Sequence, residues 1–558
     1  MNNLISQSVK VPHRSGHYLG HHFLYTAGIG EAIPVLCQPL APGSRIKLKT
    51  LLSASLAPLA SDTFLHASMR LEAFAVPLRF LYGGYESWVT RDFVYPTPTT
   101  PYSGRLGVKL PRLAMTGANF KIATQPGKLL DYLGVRVNST DLAYIADNDT
   151  IYLNIFPLLA YQYIWDTWYR RSDVQVPYFR RPPFNSSAAT NLFKTLPFVS
   201  IEGSSANDYS MHSITIGSSD ALLSTWQRNF PIDYFTSAMV SPQLGDDSTV
   251  DIVPDSGDGH FTIAALRAAN SLQVYRERMG LCGQRFSDWL RGTYGTDLND
   301  SNGRRPMYLG SSSVEFYNHG VDQAFSDTTA SMSTNNPFKS VGARYGQPMS
   351  NGESNLVDDF TCDEPCYLVV IATAVPKVMY SSGVERYMLH YTKDGCEADL
   401  ANPILQNVGN QEIKVAEISP AAVIEPNSTS NPNINSVFGY RERYSEYMYR
   451  NDRVSGLYRD GSSLASFVAQ RYVGNPDSSS IGTSRTTISD AFLRIPKTYL
   501  DQVSAVSSTV STYGVMVDMY FDFGVSQILY DSSIPSLVNP AEEHGKDVVV
   551  MRGGKRII

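Results

Sequence analysis

The densest run of chemically capable side chains is VFGYRERYSEYMYRNDRVSGLYRD, from Val437 to Asp460. Between Val437 and Arg459, five arginines (Arg441, Arg443, Arg450, Arg453, Arg459) stand against Glu442, Glu446 and Asp452. That local surplus of two positive charges sits in a chain of net charge −6. Phe438, Tyr440, Tyr444, Tyr447, Tyr449 and Tyr458 are threaded between the arginines. Guanidinium planes and aromatic faces together stack on unpaired bases and hold phosphates. The same residue types anchor protein–protein interfaces. Both readings stay open for Tyr440, Arg441, Arg443, Tyr444, Tyr447, Tyr449, Arg450 and Arg453. A second basic segment closes the chain, where Lys546, Arg552, Lys555 and Arg556 face only Asp547. Basic ends reach phosphates, and they also dock partners.

Other chemistries find weaker support. His13, His17, His21 and His22 could ligate a metal, but Gly16 and Gly20 spoil a helix that would align them. Cys362 and Cys366, with His390 and Cys396 downstream, lack the second close pair of a zinc site, so buried free thiols are the better reading. Gly28 and Gly30 lack the third glycine of a dinucleotide loop, and no P-loop, HExxH or GxSxG motif occurs. Adjacent acids such as Asp246-Asp247, Asp358-Asp359 and Glu542-Glu543 lie in polar stretches and read as solvated. No enzyme and no cofactor is expected.

The elements that must position these residues are legible in part. At 558 residues the chain exceeds a usual single domain, and 34 tyrosines with only 18% charged residues point to a β-rich protein with long loops and large contact surfaces. Five cysteines do not make a disulfide framework, and MNNLISQSVKVPHR lacks the pattern of a secretory signal. The longest apolar run, Tyr367 to Val375, is too short to span a bilayer, so no membrane insertion is expected. Ile46 and Leu48 alternate with Lys47 and Lys49 as in a half-buried strand, and Met69 to Val76 is a second strand ended by Pro77. CYLVVIATAVP reads as a buried strand. Val515, Val517, Met519, Phe521 and Phe523 fall on one face of the clearest strand. Between these ends, Phe156, Ala160, Ile164 and Trp168 share a helical face, while residues 310–360 read as loop from their Ser, Asn and Gly content.

The Val437 stretch resembles the FGYQERY-x-EYRY signature of the major capsid proteins of small single-stranded DNA bacteriophages, the Microviridae, and in particular its gokushovirus-like members. RSGHYLGHHFLYTAGIGEAIPVLCQPLAPGSRIKL, MRLEAFAVPLRFLYGGYESW, LLDYLGV, AYQYIWDTWYRR, DYFTSAMVSPQLG, FTIAALR and RRPMYLG are similar, in order, to further phrases of that family. The resemblance implies an eight-stranded antiparallel jelly roll with long loop and helix insertions between strands. It divides the chain into an N-terminal arm (1–30), first jelly-roll strands (31–92), large insertions with helices near 155–170, 262–279 and 284–292 (93–360), remaining strands with the Arg/Tyr segment (361–530) and a basic tail (531–558). It implies self-assembly of sixty copies into a T=1-like icosahedral shell around circular single-stranded DNA. Expected partners are other copies of the chain, the genome, a DNA pilot protein, a small basic DNA-binding peptide and a host cell-surface receptor. The place is the virion, assembled in the bacterial cytoplasm. The chain departs from the pattern in having only Asp246 to His260 where many members carry a long threefold insertion, whereas 172–225 is comparatively long. A β-sandwich carbohydrate-binding or adhesion protein is the alternative, with a glycosidase behind it.

Overall fold

The computed structural model describes residues 15–61, 63–82, 85–90, 112–177, 213–215, 221–242, 263–281, 286–295, 305–322, 344–389, 403, 406, 410–418, 437–471, 488–505 and 513–527. Its strands, in chain order, are β1 (Ser15–Tyr18), β2 (His21–Ala27), β3 (Ile33–Leu40), β4 (Arg45–Leu56), β5 (Ala67–Pro77), β6 (Arg112–Thr116), β7 (Thr150–Asn154) and β8 (Ser213–Thr215). They continue with β9 (Met307–Glu315), β10 (Tyr317–Asp322), β11 (Arg344–Thr361), β12 (Cys366–Pro376), β13 (Gln411–Lys414), β14 (Val437–Arg441) and β15 (Val515–Gln527).

Two antiparallel sheets form the framework. In the first, β15 pairs with β1 and β2 on one side and β4 on the other, followed by β11 and β10. The second runs β3-β12-β5-β9. Strict alternation fixes which face of the first sheet is buried. Ile46, Leu48, Leu52, Val517, Met519, Phe521 and Phe523 point inward, while Lys47, Lys49 and Asp518 stay exposed. The second sheet meets them with smaller side chains, Ala73, Ala75, Ala372 and Ala374 among them, in one hydrophobic cluster.

β12 and the second half of β5 are apolar on both faces because both faces are covered. Phe74, Val76, Val369 and Ile371 turn away from the first sheet and pack with Leu113, Phe156, Leu159 and Ile164 of a separate cluster. The covering layer contains the helix Phe156–Ile164, which is buried nearly all round, and the small sheet β7-β6-β8. Trp165, just beyond the helix, stacks on Trp226 with ring centroids 4.2 Å apart. Glu72, on the covered face of β5, is held by both terminal nitrogens of Arg228 at 2.7 and 2.8 Å and by the Tyr169 hydroxyl. Two further helices, Ile263–Leu281 and Phe286–Tyr294, are exposed or half-exposed where their side chains are described, with Ile263, Leu272, Val274, Tyr275 and Tyr294 among the exposed.

The loop reading of residues 310–360 is corrected for 310–322 and 344–360; 323–343 lie outside the described residues. β9 and β11 are integral strands, paired with β5 and β4 respectively. Their Ser, Asn and Gly residues carry little strand propensity. The hydrogen bonds that order them come from partner strands about 240 to 300 positions earlier in the chain, as the cross-strand register shows. Asp246 to His260, most of 172–225, the arm before Ser15 and the whole tail after Gln527 lie outside the described residues.

Candidate subunit and nucleic-acid interface

The Arg/Tyr stretch enters as β14, which pairs with β13. Phe438 points into the core, and Gly439 has no room for a side chain, since an added Cβ would meet Ala238 and the Met239 carbonyl at 3.0 Å. That close approach lets Met239 and Tyr440 exchange backbone hydrogen bonds of 2.7 and 2.9 Å. The DYFTSAM and FGYR phrases, two hundred residues apart, are thereby one structural unit. The chain reverses at Tyr444, whose φ of 64° is in the left-handed region that costs a large side chain about 1 kcal/mol or more. The buried ring and a 2.7 Å bond from the Tyr444 amide to Gln411 Oε1 hold it there. One helical turn, Ser445–Met448, follows and leaves Tyr447, Met448 and Tyr449 half-exposed or more.

This wall faces segment 380–387 across a cleft of about 460 Å³. At its base, Glu417 accepts hydrogen bonds from Arg386 Nη1 at 3.0 Å, the Lys414 amide at 2.9 Å and the Tyr234 hydroxyl at 3.2 Å. Arg386 also donates to the Glu412 carbonyl at 2.7 Å and lies 3.6 Å from Glu446. Beside it runs a buried relay. The Tyr380 hydroxyl donates to Asp233 Oδ2 at 2.7 Å and accepts from Arg471 Nη1 at 2.9 Å. Arg471 is itself sandwiched between the Phe230 and Phe492 rings, 4.2 and 3.9 Å from their centroids.

The predicted residues Tyr440 to Arg453 are therefore brought together, but in different roles. Arg441 faces inward, donating to the Tyr234 carbonyl at 3.1 Å and lying 4.3 Å from the Tyr449 ring centroid. Arg443 lies 5.4 Å from the Tyr444 ring. Arg453 pairs with Glu385 at 3.0 Å. Tyr447 and Arg450 reach solvent on the cleft rim. Of the positive charges counted along the stretch, Arg453 is answered by Glu385 from another segment, while Glu417 answers Arg386 at the base, so that the cleft is charge-mixed. Sequence reasoning missed Tyr380, Arg386, Glu417, Asp233 and Arg471, because their meeting depends on contacts across dozens to hundreds of residues. Lys555 and Arg556 lie outside the described residues, as do His13, His390 and Cys396. Among the described residues, no three or more His, Cys, Asp or Glu side chains are grouped to hold a metal, and no helix is long and apolar enough to cross a membrane.

Residues 6–258 and 185–537 match the family described as capsid protein (F protein), so that together the two matches reach nearly the full chain. The chain belongs to this capsid protein family. Among its relatives, capsid protein VP1 of Chlamydia phage 1 is 26% identical over 334 residues, which cover 55% of this chain and 50% of that protein. Capsid protein VP1 of Bdellovibrio phage phiMH2K is 21% identical over 482 residues, 77% of this chain and 79% of its own length. A third, from Spiroplasma virus 4, is 24% identical over 199 residues, 36% of this chain and 33% of that protein. The chain thus spans about half the length of the first relative and most of the second. The capsid family is structural, and the buried charges at the base of the cleft, Arg386 and Glu417, are paired with each other.

One titration follows from the cleft of this capsid-family chain. Burial raises the Glu417 carboxyl above its ordinary 4.5 even though Arg386 pulls the other way. The folded chain therefore keeps a proton that the unfolded chain releases. That bias favours the fold below the ordinary value and is lost as pH rises through the raised one. Glu417→Gln is expected to flatten the dependence of the urea midpoint on pH across that window. A variant curve parallel to the wild type would remove Glu417 as its source.

Proposed function

We propose that this chain is the major capsid protein of a small single-stranded DNA phage and builds a sixty-copy, T=1-like shell around a circular genome. The observation that carries the reading is the family match from residue 6 to residue 537. The strand orders β2-β15-β4-β11 and β3-β12-β5-β9 support an eight-stranded jelly roll, since each sheet alternates strands from early and late in the chain as paired Greek keys require. In that reading β6 to β8 and the three helices belong to insertions, the expected arm of residues 1–30 contributes β1 and β2 to the first sheet, and the basic tail follows residue 530.

Function is then repeated symmetric burial of surface rather than chemistry. Tyr447, Tyr449 and Arg450 are the members of the Arg/Tyr stretch placed to meet a neighbouring copy or the genome, while Tyr440, Arg441, Arg443, Tyr444 and Arg453 shape the wall that presents them. Lys555 and Arg556 suit phosphate contacts. An acidic shell protein also fits a small basic DNA-binding peptide inside, a pilot protein for delivery and a host receptor outside, with assembly in the bacterial cytoplasm.

Expression of the full chain, followed by size exclusion and negative-stain electron microscopy with and without single-stranded DNA, tests this. Closed uniform shells or pentamers are expected. A monomer or dimer under every condition, above all one that binds sugar, would favour a β-sandwich binding protein. Within shells, Arg450→Ala is expected to lower genome content or particle stability without changing the stability of the free subunit. No change in either would take Arg450 off the interface.

A further inference from the structure

The turn from β11 to β12 holds two cysteines that do not line the cleft. Cys362 and Cys366 are each 1% exposed, and both are free thiols. Their sulfurs lie 2.8 Å apart. The turn cannot easily carry them away from each other, because it is fastened from several directions. The Gly43 amide donates to the Cys362 carbonyl at 2.6 Å, and the Cys362 amide donates to the Ser44 carbonyl at 2.8 Å. The Leu78 amide donates to the Pro365 carbonyl at 3.1 Å, and Arg79 pairs with Glu364 at 2.5 Å. Since β11 belongs to the first sheet and β12 to the second, this is a corner where the chain crosses between them. The turn from β3 to β4 and the end of β5 meet at the same place.

The two thiols are chemically unequal. The hydrogen bond from Cys366 holds the Cys362 thiol below the ordinary thiol range, while that contact and burial push Cys366 up. A thiolate is the attacking form in thiol–disulfide exchange, which favours Cys362 as the first to react.

We propose that Cys362 and Cys366 are a redox site that closes to an intramolecular disulfide when the protein leaves a reducing compartment, stapling the corner between the two sheets. With a small disulfide RSSR as oxidant, the Cys362 thiolate attacks one sulfur and releases one RS⁻. Cys366 then attacks the Cys362 sulfur, breaks the mixed disulfide and releases the second RS⁻. The two protons lost by the protein leave with the two RSH molecules, and the two electrons reduce RSSR. Such disulfides persist outside the cytosol and are reduced within it.

The test uses the full chain purified under reducing conditions and exposed to oxidised glutathione, then denatured, alkylated and digested. Trypsin leaves both cysteines in one peptide, Tyr345–Lys377, and Asp363 lies between them. After oxidation this peptide should lose about two mass units and carry no alkyl group, and on further cleavage before its aspartates the fragment ending at Cys362 should stay joined to the one that begins at Asp363. Reductant should restore two alkylatable thiols. Cys37, whose thiol burial pushes up to about 12, should remain alkylatable throughout. Cys366→Ser should stop at a glutathione adduct on Cys362. Two alkylated cysteines after oxidation, or a cross-link from either to another cysteine, would overturn the proposal.

Discussion

Phe521→Ala should lower the stability of the folded chain by roughly 3–5 kcal/mol. Phe521 is fully buried on β15, the central partner of β1, β2 and β4. Truncation removes the transfer free energy of the ring and leaves a cavity between two hydrogen-bonded sheets. Neither sheet can collapse into it without giving up ladder bonds on both sides of β15. Phe521→Leu, which keeps most of the volume, should lose much less. Urea unfolding is the measurement, with the midpoint expected to fall while the slope stays that of the wild type. A loss below about 1 kcal/mol would mean that the two sheets do not clamp this ring in the way described.

The second large effect is expected at the base of the cleft. Arg386→Met removes the cation from a pair in which Arg386 and Glu417 side chains are 11% and 4% exposed. Breaking a buried pair from one side costs roughly 3–5 kcal/mol, because the remaining charge is neither solvated nor matched. Glu417 has an escape, since burial already biases it towards the protonated form. Without Arg386 that bias grows. The cost of the substitution should therefore be largest near neutral pH and shrink as the pH falls and the wild-type Glu417 also takes up its proton. Urea midpoints of both proteins across that range decide the matter. An equal loss at every pH would show that Arg386 acts through packing alone.

These two sites differ in how far they could be read beforehand. Phe521 was legible because a strand with one buried face must alternate, and residues 515–523 do so. Arg386 and Glu417 were not, since nothing in the spacing of two ordinary charged residues 31 positions apart says that both will be buried. The Arg/Tyr stretch falls between them. Its composition singled out the segment, yet its charge balance misled in part, because Glu385 reaches Arg453 from elsewhere.

The sequence by itself determined the family, through collinear phrases, and the strands whose burial pattern is written in their own residues, namely β4, β5, β12 and β15. Local periodicity suffices for these because the side chains that alternate are the ones that pack. Only the tertiary structure decided that Ser- and Asn-rich β9 and β11 are strands, that Gly439 admits Met239, that Arg441 turns inward and that two thiols meet at a corner between sheets. Each of these depends on hydrogen bonds or contacts with segments close in space but, for most of them, remote along the chain. The two thiols apart, which lie four residues from each other, no short window of sequence contains both partners of such a pair.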